Sequence, residues 1–318
     1  MEPRIFIFRP YIPNGGTFMA YHLGRILHQE FGFHGVAVGD ERADNGIFDY
    51  DPVFPCISVE EMEDSITDDD VLIANPSFSA FDFGIKLRGL KVMYIQGFNT
   101  FSLLDCRFDH YVSVSKFVRN FIANTYGIDT ALVPPFIRTD TFPIAPPWQE
   151  RPPASILVSL KGQPPHLFVR LRQLLAQRLP GVALDHVLDG KVPQRELIAR
   201  MGQYRHFLTM SAAEGFGLMP LEAMGMGTTV LGFDGFGGRD YMRPGINCAV
   251  TAYPDVEKLV EQIATVLGDP GYAEALAEAG RMTANSHVYS YKHFRAAWRK
   301  QFSLALGSLP RQENLRAA

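Results

Sequence analysis

SAAEGFGLMPLEAMGMG, residues 211–227, decides how this chain is read. It follows HFLTMS (206–211), a short apolar run with the length and bounds of a buried strand, so it leaves that strand's carboxyl end. Glu214-Gly215-Phe216-Gly217 makes a loop. Pro220 suits the first turn of a helix continuing through LEAM, where a proline forfeits no helical hydrogen bond. The loop would present the amides of Gly215, Phe216, Gly217, Leu218 and Met219 at a helix N-terminus, a ready site for a phosphate. Glu214 stands before the loop and Glu222 inside the first helical turn. Two carboxylates there would repel a bare anion. They suit phosphates flanked by hydroxyls, a ribose on one side and a sugar on the other. Either glutamate alone is also explained as a capping or first-turn acid. The combination of strand, glycine loop, proline and second glutamate is not.

Outward from this stretch, strands and helices alternate. RIFIF (4–8), GVAVG (35–39), DVLIA (70–74), KVMYIQ (91–96) and HYVSVS (110–115) read as buried strands. Residues 18–31 and 116–127 carry apolar residues at helical spacing and end near Gly32 and Gly127. The alternation resumes after residue 154 with SILVSL (155–160), ALDHVL (183–188), HFLTMS and TVLGF (229–233), with helices near 166–179, 194–202 and 220–226. Seven prolines between 134 and 153 mark the connector. The expected fold class is α/β, two Rossmann-like domains with parallel sheets covered on both faces. Their bounds are an N-terminal domain over 1–138, a linker over 139–153, a C-terminal domain over 154–285 and a final helix within 286–318. Tyr289, Phe294, Trp298 and Phe302 fall near one apolar face of that helix, which predicts that it packs against a domain. Two such halves suit an elongated ligand in the cleft between them, at the carboxyl ends of the strands.

The 318 residues are 47% hydrophobic and 20% charged, ordinary for a globular protein and long enough for two cores. A net charge of -4 offers nucleic acid no general attraction. Residues 1–138 hold 11 Lys/Arg against 18 Asp/Glu, which argues against docking on an anionic membrane and allows at most peripheral contact. Cys56, Cys106 and Cys248 are scattered, without metal spacing, as reduced thiols in a cytoplasmic protein would be. MEPRIFIF is a strand rather than a leader, and no stretch has the length of a membrane span. The acidic run Glu60–Asp70 has no metal-loop spacing and reads as a solvated helix and loop. His110 and His166 read as surface or satisfied residues. The pair Gly215/Gly217 has Pro220 where a dinucleotide fingerprint needs its third glycine, which argues against NAD. Of 24 Phe, many sit in FSAFDFG (78–84) and QGFNTFSLL (96–104), as core or as an apolar acceptor floor.

Residues 211–227 resemble the Glu-x7-Glu signature of retaining glycosyltransferases of family 4, which have the GT-B fold. DGKVPQRELIARM (189–201), VLGFDGFGGRDYMRPGINCAV (230–250), Asn14-Gly15-Gly16 before a helix, and the run from VSVSKF into VPPFIRTDTF are similar to further segments of that family. The resemblance covers most of the chain and implies that the final helix, within 286–318, packs back on the N-terminal domain. It implies that Glu214 lies beside the transferred sugar and Glu222 binds the ribose. It also implies that Gly217, Leu218 and Met219 meet sugar and diphosphate through their amides, that Val192 contacts the base, and that Gly16 and its loop belong to the donor site. The chain departs from the family's pattern twice. SLKGQPP offers only Lys161 where an Arg and a Lys usually neutralise the diphosphate, so the second cation must come from elsewhere, with Arg239 the candidate. Gln96 stands where a His is frequent.

The function expected is transfer of a hexosyl unit, with retention, from a nucleoside-diphosphate sugar to a glycan or lipid-linked acceptor, as in cell-surface polysaccharide synthesis. Family analogy implies front-face attack assisted by the leaving phosphate. Glu214 and Lys161 are the expected catalytic residues. The donor is a substrate, and neither cofactor nor metal is expected. A non-catalytic GT-B subunit that binds a sugar nucleotide or glycan and regulates a partner is the alternative. A GT-B sugar-nucleotide epimerase would not call for the Glu-x7-Glu loop.

Overall fold

A computed structural model describes residues 2–8, 11–39, 46–159, 161–187 and 192–307 of the chain. Leu160, Leu188, Asp189, Gly190, Lys191 and residues 308–318, which several sequence expectations included, lie outside the described residues. The chain divides into two compact units, one running to Pro135 and resuming at Lys292, the other Phe136–Tyr291.

The first unit holds strands β1 (Arg4–Phe8), β2 (His34–Val38), β3 (Cys56–Ile57), β4 (Val71–Ala74), β5 (Leu90–Ile95), β6 (His110–Ser113) and β7 (Ala131–Leu132). They form one sheet in the order β3-β2-β1-β4-β5-β6-β7. Every pairing is parallel. Helices α1 (Gly15–Phe31), α2 (Val59–Ser65), α3 (Phe83–Lys86) and α4 (Lys116–Tyr126) connect them. Gly32 and Gly127 end α1 and α4 in the left-handed conformation, at φ 75 and 68. The acidic run is structural where it is described. Ser58 and Glu61 form a capping box on α2, and Asp70 binds Arg4 at 2.7 Å and the amide of Thr67 at 2.8 Å.

The second unit holds β8 (Ser155–Ser159), β9 (Ala183–Val187), β10 (His206–Thr209), β11 (Thr229–Phe233) and β12 (Ala249–Thr251). They pair in parallel in the order β12-β11-β10-β8-β9. Its helices are α5 (Pro165–Arg178), α6 (Gln194–Met201), α7 (Leu218–Gly225), α8 (Val256–Gly268) and α9 (Pro270–Ala284). Ile156, Val158, Leu208, Leu231 and Phe233 join Leu171, Leu259, Ile263 and Leu276 in one core. From Phe136 on, the proline-rich stretch belongs to this unit. Trp148 and Arg151 are buried, and the Arg151 guanidinium donates to the carbonyls of Met226 and Gly227 at the end of α7.

The last helix, α10 (Tyr291–Gly307), belongs with the first unit from Lys292 onward. Its Trp298 ring lies edge-on to Tyr94 at 4.9 Å, Phe302 meets Phe31 at 5.2 Å, and Arg299 pairs with Glu30 at 2.6 Å. Tyr289 is not on this helix. It lies in the 3-10 turn His287–Tyr289 and packs on Phe216 and Tyr241. Phe294 lies five positions further on, so helical spacing held only from Phe294 on.

Candidate functional site

In the second sheet the chain moves outward from β8 to β9 and then returns to the other side of β8 with β10. The carboxyl ends of β8 and β10 are therefore the topological switch point, where loops part and a ligand can enter. Lys161 and Gly162 follow β8, and residues 210–217 follow β10. The two loops are joined by a hydrogen bond from the Ala212 amide to the Gly162 carbonyl at 3.1 Å. Gly162 has φ +63, and a Cβ there would lie 2.7 Å from the Ser211 hydroxyl, so a side chain would part the loops.

Glu214 is fixed on both sides. Its amide donates to Gly235 at 2.8 Å, and its carbonyl accepts from Gly237 at 3.1 Å. A Cβ on Gly237 would sit 2.2 Å from the Gly215 carbonyl oxygen, so the loop after β11 approaches only as bare backbone. Oε1 of Glu214 accepts from the Ser211 hydroxyl at 3.2 Å and lies 3.8 Å from the Lys161 ammonium. Ser211 is buried, while the Lys161 side chain is half exposed.

Helix α7 starts at Leu218, two residues before the expected Pro220. Gly217 makes the turn, at φ 85, and Pro220 falls third in the helix, where the missing N–H is still one that helix geometry leaves unpaired. The Tyr241 hydroxyl donates to the Gly217 carbonyl at 2.5 Å. The Phe216 ring is buried beside Tyr241, at 5.2 Å, so this residue can offer a ligand only its backbone. No side chain caps α7. Among the described residues, the amides of Gly215, Phe216, Gly217, Leu218 and Met219 enter no backbone hydrogen bond outside the helix.

Glu222, one turn into α7, is 4% exposed. Its Oε1 accepts from the Gln194 amide at 2.7 Å. Burial pushes its carboxyl above the usual carboxylate range, while the Gln194 bond and the Lys161 charge pull it back. Burial also holds the Tyr241 phenol well above its ordinary value, with the Glu214 charge adding to the effect. Lys161, Glu214, Glu222 and the N-terminus of α7 thus share one site within the second unit. Val192 is partly buried two residues before α6. Arg239 is engaged by Asp234 at 2.8 Å and lies over the Phe236 ring. Gly16 lies in the first unit at the start of α1, where its carbonyl accepts from Gln96 at 2.6 Å.

Sequence reasoning missed Gln194, Ser211 and Tyr241. Ser211 was findable, three residues before Glu214. Gln194 and Tyr241 reach the site only through the packing of other loops and helices. Among the described residues no three His, Cys, Asp or Glu side chains gather to hold a metal ion. No helix among them is long and apolar enough to cross a membrane.

Residues 174–283 match the family model described as glycosyl transferases group 1. No curated protein matches the chain in sequence. Among solved structures it is similar to sucrose-phosphate synthase from Thermosynechococcus elongatus, at 13% identity and TM-score 0.70, over 97% of this chain and 100% of that one. It is similar to Anabaena HepE, solved with UDP and glucose, at 14% identity and TM-score 0.72, over 97% and 100%. A TarM variant from S. aureus, in complex with fondaparinux, alpha-GlcNAc-glycerol and UDP, aligns at 15% identity and TM-score 0.60, over 77% of this chain and 58% of that one. The chain has the GT-B fold, two Rossmann-like domains, and the stretch that matches the group 1 family model lies within its second unit.

Proposed function

We propose that this GT-B chain transfers a hexosyl unit from a nucleoside-diphosphate sugar to a glycan or lipid-linked acceptor, with retention at the anomeric carbon and without a metal. The observation that carries the reading is the uncapped N-terminus of α7 at the switch point, with Lys161 and Glu214 on one side and Glu222 buried one turn into the helix. Unpaired amides and a lysine stabilise the negative charge that builds on a departing diphosphate, and their fixed positions spare reorganisation during the reaction. A carboxylate held by Ser211 and Lys161 is suited to a sugar that gains positive charge. A buried carboxylate one turn away is suited to the ribose hydroxyls. Donor binding is thus assigned to the second unit, and the acceptor to the first.

The test is nucleoside-diphosphate release from a panel of UDP-, GDP- and ADP-sugars, with and without glycan and lipid-linked acceptors, followed by the product's anomeric configuration by NMR. Turnover with the donor's anomeric configuration preserved, undiminished in EDTA, is expected. An inverted product would overturn retention, and activity lost in EDTA and restored by manganese would overturn metal independence. Tight donor binding with no turnover on any acceptor would favour a regulatory subunit.

A further inference from the structure

We infer that Gln194 is the second arm of the nucleoside site: with Glu222 it reads a vicinal diol, so the donor is a ribonucleotide in which each arm holds one hydroxyl. The inference rests on the reading of Glu222 as the ribose-binding residue. A lone carboxylate can meet both hydroxyls of a diol with its two oxygens. Here Oε1 already accepts from Gln194 Nε2 at 2.7 Å. Oε2 has no protein partner among the described residues, and it is not among the enclosed unpartnered atoms. One carboxylate oxygen is therefore open to a ligand, and the other is engaged by an amide.

That amide retains capacity of its own. A primary amide has two N–H donors and a carbonyl acceptor, and a hydroxyl both donates and accepts. With one N–H on Glu222, the second N–H and the carbonyl of Gln194 remain for the neighbouring hydroxyl. Gln194 is the first residue of α6, follows Pro193, and makes no capping bond to its own helix. It is partly buried, and α6 packs against α7, which sets the pair across 28 residues of sequence. A neutral partner also fits the chemistry. Lys or Arg here would cancel the charge that makes Glu222 a strong acceptor, and an apolar residue would leave a buried carboxylate short of support.

The experiment is calorimetry with the tightest-binding of UDP, GDP and ADP and with its 2′-deoxy and 3′-deoxy forms. Wild type is compared with Gln194→Ala and with Gln194→Met, which keeps the volume if the alanine variant folds poorly. Wild type should bind each deoxy form at least about fivefold more weakly, the scale of one hydrogen bond. In both variants the penalty for one deoxy form should shrink to within about twofold while the other persists. A Gln194 that merely props Glu222 would weaken all three ligands alike, and that result would overturn the inference, as would two undiminished penalties. If wild type shows no penalty for either deoxy form, the ribose reading of Glu222 itself fails, a result separate from the fate of Gln194.

Discussion

Two helices of this molecule begin at a glycine pair, α1 with Gly15 and Gly16 inside its first turn and α7 just after Gly215 and Gly217, and they begin differently. At α1, Asn14 is extended and its side-chain oxygen accepts from the Thr17 amide at 2.8 Å, so the helix closes part of its own N-terminus. At α7, Gly217 turns the chain in the left-handed region, offers no side chain, and leaves no acid in the first turn. The dipole field resides in the first turn, so the 8-residue α7 loses nothing to the 17-residue α1 in attraction for an anion. What differs is how many amides still lack an acceptor. A glycine pair at the start of a helix is thus not by itself an anion site. The residue at the cap decides whether the amides are spent inside the chain or kept for a ligand.

If α7 is the end kept for the donor, the largest effect should come from the carboxylate that leads into it. Glu214→Gln keeps the size and the Ser211 bond but removes the charge. It should lower kcat by ~10²–10³-fold, roughly 2.7–4 kcal/mol, with nucleoside-diphosphate affinity nearly intact. Normal turnover with weakened binding would mean that the two glutamates have exchanged roles.

Lys161→Ala comes next. The ammonium lies 3.8 Å from Glu214 and is half exposed, so it is free to turn toward a diphosphate. Losing a hydrogen bond to a charged group costs roughly 1.5–3 kcal/mol, a tenfold to hundredfold loss of affinity for the diphosphate. The parent nucleoside should bind almost unchanged. Equal losses for both would assign Lys161 to the support of Glu214 alone.

Glu222→Gln should separate binding from stability. Burial raises this carboxyl in the folded state, so the folded chain takes up its proton at a higher pH than the unfolded chain does. Stability is then lost as pH rises from the ordinary carboxylate range through the raised value, and an ionised Glu222 is a cost at neutral pH. The glutamine variant should melt higher than wild type at neutral pH and bind the diphosphate about tenfold more weakly. A lower melting temperature at neutral pH would mean that the carboxylate is itself a structural anchor.

The comparison also shows what a sequence can disclose. The alternation of strands and helices gave both sheets, because buried parallel strands are continuous apolar runs such as TVLGF. The edge strands β3 and β7, two residues each, carry no such run. The helices α8 and α9 begin after Asp255 and Asp269, each capping its helix with its side chain, a signal present in the sequence and passed over. Glu214 and Glu222 were legible because one loop and one helical turn place them. Gln194 was not, since a polar residue opening a helix looks like solvated surface until α6 meets α7. Tyr241 lies 24 residues from the carbonyl it holds, and no local pattern connects them.

The smallest effect tests the other side of the comparison. Asn14→Ala removes the acceptor of the Thr17 amide and should cost about 1 kcal/mol of stability, the usual penalty for a lost N-cap. The loss should register in the melting temperature of the first unit. Affinity for the nucleoside diphosphate should change by no more than about threefold, because the bond removed is internal and a helix-end charge effect is on the order of 0.3–1 kcal/mol. Gly217→Ala is the matched change at α7. Its φ of +85 strains any side chain, and the new Cβ would lie 3.2 Å from the Tyr241 hydroxyl that fixes the turn. That variant should lose affinity as well as stability. If Asn14→Ala weakens binding as much as Gly217→Ala does, the two N-termini serve the donor equally, and the cap at Asn14 does not withdraw α1 from the site.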